Sequence, residues 1–96
     1  MNLNELLRLK KGEIQRIARQ HGARNLRVFG SVARGEAAEG SDLDLLVEME
    51  PGRSLLDLVA IKQDLEELLG CKVDVVTEAS VSPYLRERVL NEAVSL

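Results

Sequence analysis

Cysteine is nearly absent from this sequence. Cys71 is the single one among 96 residues, which excludes an internal disulfide and a four-cysteine zinc site and suits a reducing cytosol. Tryptophan is missing, and Phe29 and Tyr84 are the only other large aromatics, so the stacking platform of a single-strand nucleic-acid binder is not there. No apolar run approaches the ~20 residues of a membrane span. The opening Met1-Asn2-Leu3-Asn4-Glu5 lacks a basic stretch followed by an apolar one, so no secretory signal is expected and the cytoplasm is the expected location. Internal repeats, linkers and low-complexity tracts are also lacking, and residues 1–96 read as a single domain. For 10.6 kDa the area scaling laws give about 5,500 Å² of folded surface against about 15,000 Å² unfolded, a thin but workable core.

What is present is unevenly distributed. The net charge of -3 combines a basic first part with an acidic middle: residues 1–40 carry eight Lys/Arg against four Glu, residues 41–81 ten acids against three bases, and the tail balances. A basic N-terminal part suits an anionic ligand such as a nucleoside triphosphate. An acidic whole argues against tight duplex binding, which rests on phosphate neutralisation.

Leu3, Leu6, Leu7, Ile14, Ile17 and Ala18 fall on one stripe at helical spacing over residues 3–20, with Gly12 as an interruption and His21-Gly22 as the stop. Residues 26–29 read as a short strand closed by Gly30, and residues 30–41 as a turn, one helical turn and a loop. In residues 42–49, Leu43, Leu45, Val47 and Met49 alternate onto one strand face. Residues 54–69 predict a helix with Leu55, Leu58, Val59, Leu65, Leu68 and Leu69 on its apolar side and Gly70 past its end. Residues 72–76 predict a strand. Ser82-Pro83 is an N-cap with proline at the first helical position of a last helix through Leu85, Val89 and Ala93. This order implies an α/β (α+β) layer, a small mixed sheet flanked by helices.

The chemistry-bearing stretch is Gly30-Ser31-Val32-Ala33-Arg34-Gly35 followed by Ser41-Asp42-Leu43-Asp44. Two residues apart on a strand, Asp42 and Asp44 project from one face with Cα atoms roughly 6.8 Å apart. Their carboxylates can lean together onto metal ions, which two-metal sites hold ~3.5–4 Å apart. Oxygen ligands without His or Cys favour Mg²⁺ or Mn²⁺ over zinc. A glycine directly after a strand turns sharply and leaves room for a phosphate. Ser31 offers a hydroxyl and an N–H at the start of a helical turn, and Arg34, three residues on, adds a charge-assisted contact. Phosphoryl or nucleotidyl transfer needs a third acid, and Asp74, set among Val73, Val75 and Val76, is placed to supply it. The competing assignment makes Asp42 a turn cap, Asp44 a solvent-facing residue and Asp74 an edge-strand charge.

These residues resemble the nucleotidyltransferase superfamily related to DNA polymerase β, whose pattern is Gly-Ser, ten residues, Asp-x-Asp and a distant acid. Gly30-Ser31, residues 32–41 and Asp42-Leu43-Asp44 match that spacing without a gap. The surrounding words look most like the minimal nucleotidyltransferases (MNT), one-domain proteins of about this length. The resemblance implies the polymerase β-like fold, with Gly30 and Ser31 binding the triphosphate and Asp42 and Asp44 binding divalent metal. It makes Asp74 the third catalytic and metal-binding carboxylate, and places Arg34 and Ser41 near the phosphates. It also implies ATP as substrate with Mg²⁺ or Mn²⁺, and an antitoxin partnered by a helical HEPN toxin, AMP moving from ATP onto a toxin tyrosine.

Two rivals differ in kind: a non-catalytic antitoxin that neutralises its partner by occlusion, and a small-molecule nucleotidyltransferase completed by a partner subunit. Homo-oligomerisation is open at this level. The apolar residues of the final helix favour the core over an interface. Tyr84 is assigned to first-turn packing, His21 to a helix end, and Cys71 to a structural role.

Overall fold

The computed structural model describes residues 2–38 and 40–96. The chain runs α1 (Leu3–Gln20), β1 (Ala23–Phe29), α2 (Gly30–Ala33), β2 (Leu43–Met49), α3 (Leu55–Leu69), β3 (Val73–Val76), a 3₁₀ turn (Glu78–Ser80), α4 (Pro83–Glu92) and β4 (Val94–Ser95). The four strands form one mixed sheet in the order β3-β2-β1-β4. β1 is antiparallel to both β2 and β4, and β3 is parallel to β2, the pairing that requires α3 as a crossover.

Each helix starts and stops for local reasons. The Asn2 side chain accepts the Glu5 N–H at 2.8 Å to open α1. Ser54 and Asp57 form a reciprocal capping box at α3, and Gly70, in the left-handed conformation, closes it. α4 has Pro83 in its first turn as expected, but the Ser82 side chain makes no capping bond.

One face of the sheet carries the core. Leu43, Leu45 and Val47 of β2 pack with Leu7, Ile14 and Ala18 of α1, Ile61, Leu65 and Leu69 of α3, and Val28 and Val73 of the neighbouring strands. At about 25 cal/mol per Å² of apolar surface, each such side chain contributes roughly 1.5–3 kcal/mol. The opposite alternation on β2 brings Asp44 and Leu46 to the other face, where Leu46 is also buried. The exposed surface of 5994 Å² slightly exceeds the scaling expectation, in keeping with a flattened body of 37 × 30 × 18 Å.

Four expectations need correction. β1 begins at Ala23, three residues before the predicted strand, through a bulge between Arg24 and Arg27 in which Asn25 takes φ 53°. The buried stripe of α3 runs through Ile61, Leu65 and Leu69, whereas Leu55 is 73% exposed and Val59 40%. The final helix stops at Glu92 and the chain turns into β4. Tyr84 is 96% exposed and packs on nothing in its first turn.

Candidate active site

The β1–α2 junction and the start of β2 meet at one end of the sheet. Phe29 and Asp44 are register partners across the antiparallel ladder, so Gly30 follows directly beside Asp44. Gly30 has φ +75°, and a Cβ there would lie 2.2 Å from Asp44 Oδ2. The glycine therefore does two things: it permits a left-handed turn and it leaves the space that the Asp44 carboxylate fills. The second role was not in the sequence reading, which reserved that space for a phosphate.

Asp74 reaches the same place from the other side. The parallel ladder pairs Asp44 with Asp74, on neighbouring strands about 4.8 Å apart. Parallel in-register partners project to the same face, so the two carboxylates share a side of the sheet. Asp42 stands one residue before β2, exposed. The chain at this point is held by the Leu43 N–H donating to the Lys72 carbonyl at 2.9 Å. β3 is an edge strand, so Asp74 combines an edge position with proximity to Asp44.

Electrostatics show how closely these groups crowd. Burial raises the Asp44 pKa above the ordinary aspartate value, and the charges of Asp74, Asp42 and Glu92 raise it further, with Arg34 opposing them. Three carboxylates thus act on one half-buried aspartate. Among the described residues, no three His, Cys, Asp or Glu side chains converge closely enough to enclose an ion. The donor chemistry nevertheless fits a hard divalent cation: oxygen ligands only, in excess of positive charge, on a face where like charges already raise one carboxyl's proton affinity.

Arg34 and Glu92 complete the cluster. The Gly30 N–H donates to Glu92 Oε2 at 3.2 Å, and Arg34 Nη1 donates to Glu92 Oε1. Arg34 Nε donates to Glu36 Oε2 at 2.9 Å. The Arg34 pKa is pushed above its already high value by bonds to Glu36 and Glu92. That of Glu92 is lowered, first by the Arg34 bond and then by the Gly30 N–H, against the effect of burial. Ser31 is half-buried beside them, its carbonyl accepting the Glu36 N–H at 2.8 Å.

Ser41 is used differently from the sequence expectation. Its hydroxyl accepts the Ala38 N–H at 2.7 Å and its N–H donates to the Ala38 carbonyl at 3.0 Å, closing the loop that leads into Asp42. A cleft of about 660 Å³ runs from Ser41 toward Cys71 and the first residues of α1. Cys71 has its thiol pKa raised by burial and then by the charges of Asp42 and Glu66, which disfavours the thiolate. His21 Nε2 lies 3.1 Å from Asp64 Oδ2 and ties the end of α1 to α3.

Two residues near the cluster escaped the sequence reading. Glu92 lies 62 positions from Gly30, and no local pattern distinguishes it from other acids. Lys62 donates to Glu66 Oε2 and to the Val73 carbonyl, both at 2.8 Å. Its pKa is raised chiefly by Glu66, with the charges of Asp74 and Asp42 adding to the effect. A lysine at i with a glutamate at i+4 reads in sequence only as a helix-surface pair.

The structure brings a glycine-serine bend, the Asp-x-Asp segment that opens β2 and an aspartate of the neighbouring parallel strand to one end of the sheet. The chain belongs to the nucleotidyltransferase domain family, whose model matches residues 11–96. A Methanocaldococcus jannaschii protein provisionally named a protein adenylyltransferase is 50% identical over 96 residues, covering 100% of this chain and 99% of the relative. The protein adenylyltransferase MntA of Thermococcus cleftensis is 37% identical over 94 residues, covering 98% and 95%. The solved structure of a provisionally named minimal nucleotidyltransferase superposes with a TM-score of 0.87 at 54% identity, covering 100% of this chain and 97% of that one. A toxin-antitoxin structure with AMP-PNP shares the fold at a TM-score of 0.75 and 23% identity, covering 88% of this chain and 70% of that one. The four-stranded mixed sheet with its helices is thus the fold of the minimal nucleotidyltransferases. No described helix is long and apolar enough to cross a membrane.

Proposed function

We propose that this chain transfers AMP from ATP to a hydroxyl of a partner protein, and that the partner is a HEPN-type toxin that the chain silences in the cytoplasm. One observation carries the reading: Asp74 pairs in register with Asp44, which fills the space left by Gly30. The names of the 50% and 37% identical relatives support protein adenylylation. A tri-AMPylated Shewanella oneidensis HEPN toxin solved with an MNT antitoxin of this fold supports the partner.

In this reading the Gly30 and Ser31 backbone, the Ser31 hydroxyl and Arg34 hold and orient the β- and γ-phosphates. Ser41 acts one step removed, by fixing the loop that delivers Asp42. Asp42, Asp44 and Asp74 would hold Mg²⁺ or Mn²⁺, and the metal would supply positive charge against that developing on the reacting oxygens. Asp74, on the exposed edge strand, also accepts the proton of the incoming hydroxyl. The hydroxyl oxygen attacks the α-phosphorus in line, the bond to the bridging oxygen breaks, and pyrophosphate leaves.

The acceptor comes from outside the chain. The test incubates the chain with α-labelled ATP, Mg²⁺ and the product of the neighbouring gene, comparing wild type with Asp42→Asn/Asp44→Asn. Label on the partner that vanishes in the double variant is the expected result. Toxicity neutralised equally by both proteins, without label, would make the chain an occluding antitoxin. Label on a small molecule with no protein present would redirect the acceptor.

A further inference from the structure

The Glu92 carboxylate sits where an anion belongs. It takes the Gly30 N–H on one oxygen and the Arg34 guanidinium on the other, and its side chain is only 15% exposed. Its partner Gly30 also abuts Asp44, whose Oδ2 lies 2.2 Å from the position a Gly30 Cβ would take, so Glu92 adds its charge on the Asp44 side of the sheet. A carboxylate and a phosphate present the same feature to such donors: two oxygens sharing negative charge. We infer that Glu92 is a built-in competitor for the nucleotide's phosphates, occupying the Gly30–Arg34 cradle when no nucleotide is bound and leaving it when one arrives. The inference rests on Gly30 and Arg34 being phosphate donors, as proposed above.

Displacement is structurally easy. Glu92 is the last residue of α4, and Ala93 after it is already extended with ψ 133°. The chain beyond is anchored separately, by Val94 and Ser95 pairing with Val28 and Arg27 and by the Leu96 N–H donating to the Leu26 carbonyl. A change of rotamer at Glu92 therefore vacates the cradle without unfolding the tail. Glu92 cannot simply stay. Of the charges acting on Asp44, those of Asp74, Asp42 and Glu92 raise its pKa and that of Arg34 opposes them. A triphosphate entering beside Glu92 would add charge to four acids and find both donors engaged.

The experiment measures ATP binding with Mg²⁺ by calorimetry for wild type, Glu92→Gln, Glu92→Ala, Arg34→Ala and the Arg34→Ala/Glu92→Ala double variant, each checked for folding by thermal melting. Removing a charge-assisted competitor should tighten ATP binding by about tenfold in both Glu92 variants. The same gain should appear with inorganic tripolyphosphate and be absent with adenosine, which has no phosphate. Arg34→Ala should weaken binding, and the Glu92→Ala gain should shrink in its background. If wild type binds ATP and Glu92→Gln binds it equally or more weakly, Glu92 supports the cradle and the inference is overturned. If folded wild type and all variants fail to bind ATP and tripolyphosphate, the phosphate cradle itself is wrong and the inference falls with it.

Discussion

Replacing Gly30 with alanine tests the site more sharply than replacing an aspartate, because it leaves every charge in place. The substitution has two separable effects. At φ +75° an L-residue costs about 1–2 kcal/mol. The new Cβ would also lie 2.2 Å from Asp44 Oδ2, more than 1 Å inside ordinary contact, and 3.2 Å from Asp44 Cγ. The obstacle is the far end of a side chain, so the carboxylate swings aside and the backbone stays. The stability loss should therefore stay near 1–3 kcal/mol. At about 4–8 °C for each kcal/mol in a domain of this size, melting followed by circular dichroism resolves it. The displaced carboxylate is the larger effect: a misplacement of about 1 Å at a reacting centre reduces transfer roughly 100-fold. Gly52 supplies the control, since it has φ +84° with nothing within 4 Å of its Cβ position. Gly52→Ala should lose a similar 1–2 kcal/mol of stability and keep Mn²⁺ binding and label transfer. If Gly30→Ala transfers AMP at the wild-type rate, or Gly52→Ala loses activity as severely, the coupling between Gly30 and Asp44 is refuted.

Other perturbations follow from the same contacts. Gly12 lies exposed within α1 with no atom near its Cβ position, so Gly12→Ala should stabilise the chain by about 1 kcal/mol in a melting experiment. Ile61→Ala, at a fully buried position, should destabilise by about 2–5 kcal/mol in denaturant unfolding. The Asp44 pKa is raised by burial and then by Asp74. Stability from its protonated form is present at low pH and lost as pH rises through that raised pKa. Asp44→Asn should accordingly melt higher than wild type at neutral pH while binding Mn²⁺ less well, and equal melting temperatures would contradict the assignment. In carboxyl NMR titrations, Asp74→Asn should move the Asp44 midpoint down; an unmoved midpoint would mean the two acids do not face each other.

What the sequence made legible was the part written in covalent spacing. Gly30-Ser31 and Asp42-Leu43-Asp44 are joined by a fixed number of bonds, and alternation offered Asp74 as a third acid on the condition that its strand lies beside β2, a pairing only the fold supplies. The α1 stripe was legible for the same reason. Alternation failed in β1 because Asn25 and Leu26 together oppose Val47 in a bulge, where two residues face one and period two is lost. The α3 stripe was misjudged at its first turn, because leucine content alone does not tell which apolar residues meet the sheet, and Leu55, Leu56 and Val59 look outward. Glu92 was invisible because only the return of α4 brings it to Gly30, and that return is a property of the packed chain.

The parallel β2–β3 pairing has a consequence for when the molecule becomes competent. Asp44 and Asp74 are separated by the whole α3 excursion, so their adjacency exists only after a long-range closure that local structure cannot anticipate. A chain with its first hairpin formed but β3 undocked would own the glycine-serine bend and the first acidic pair, yet lack the third member. The proposed chemistry thus depends on that long-range closure, and a copy with β3 undocked holds no partial version of it to misapply.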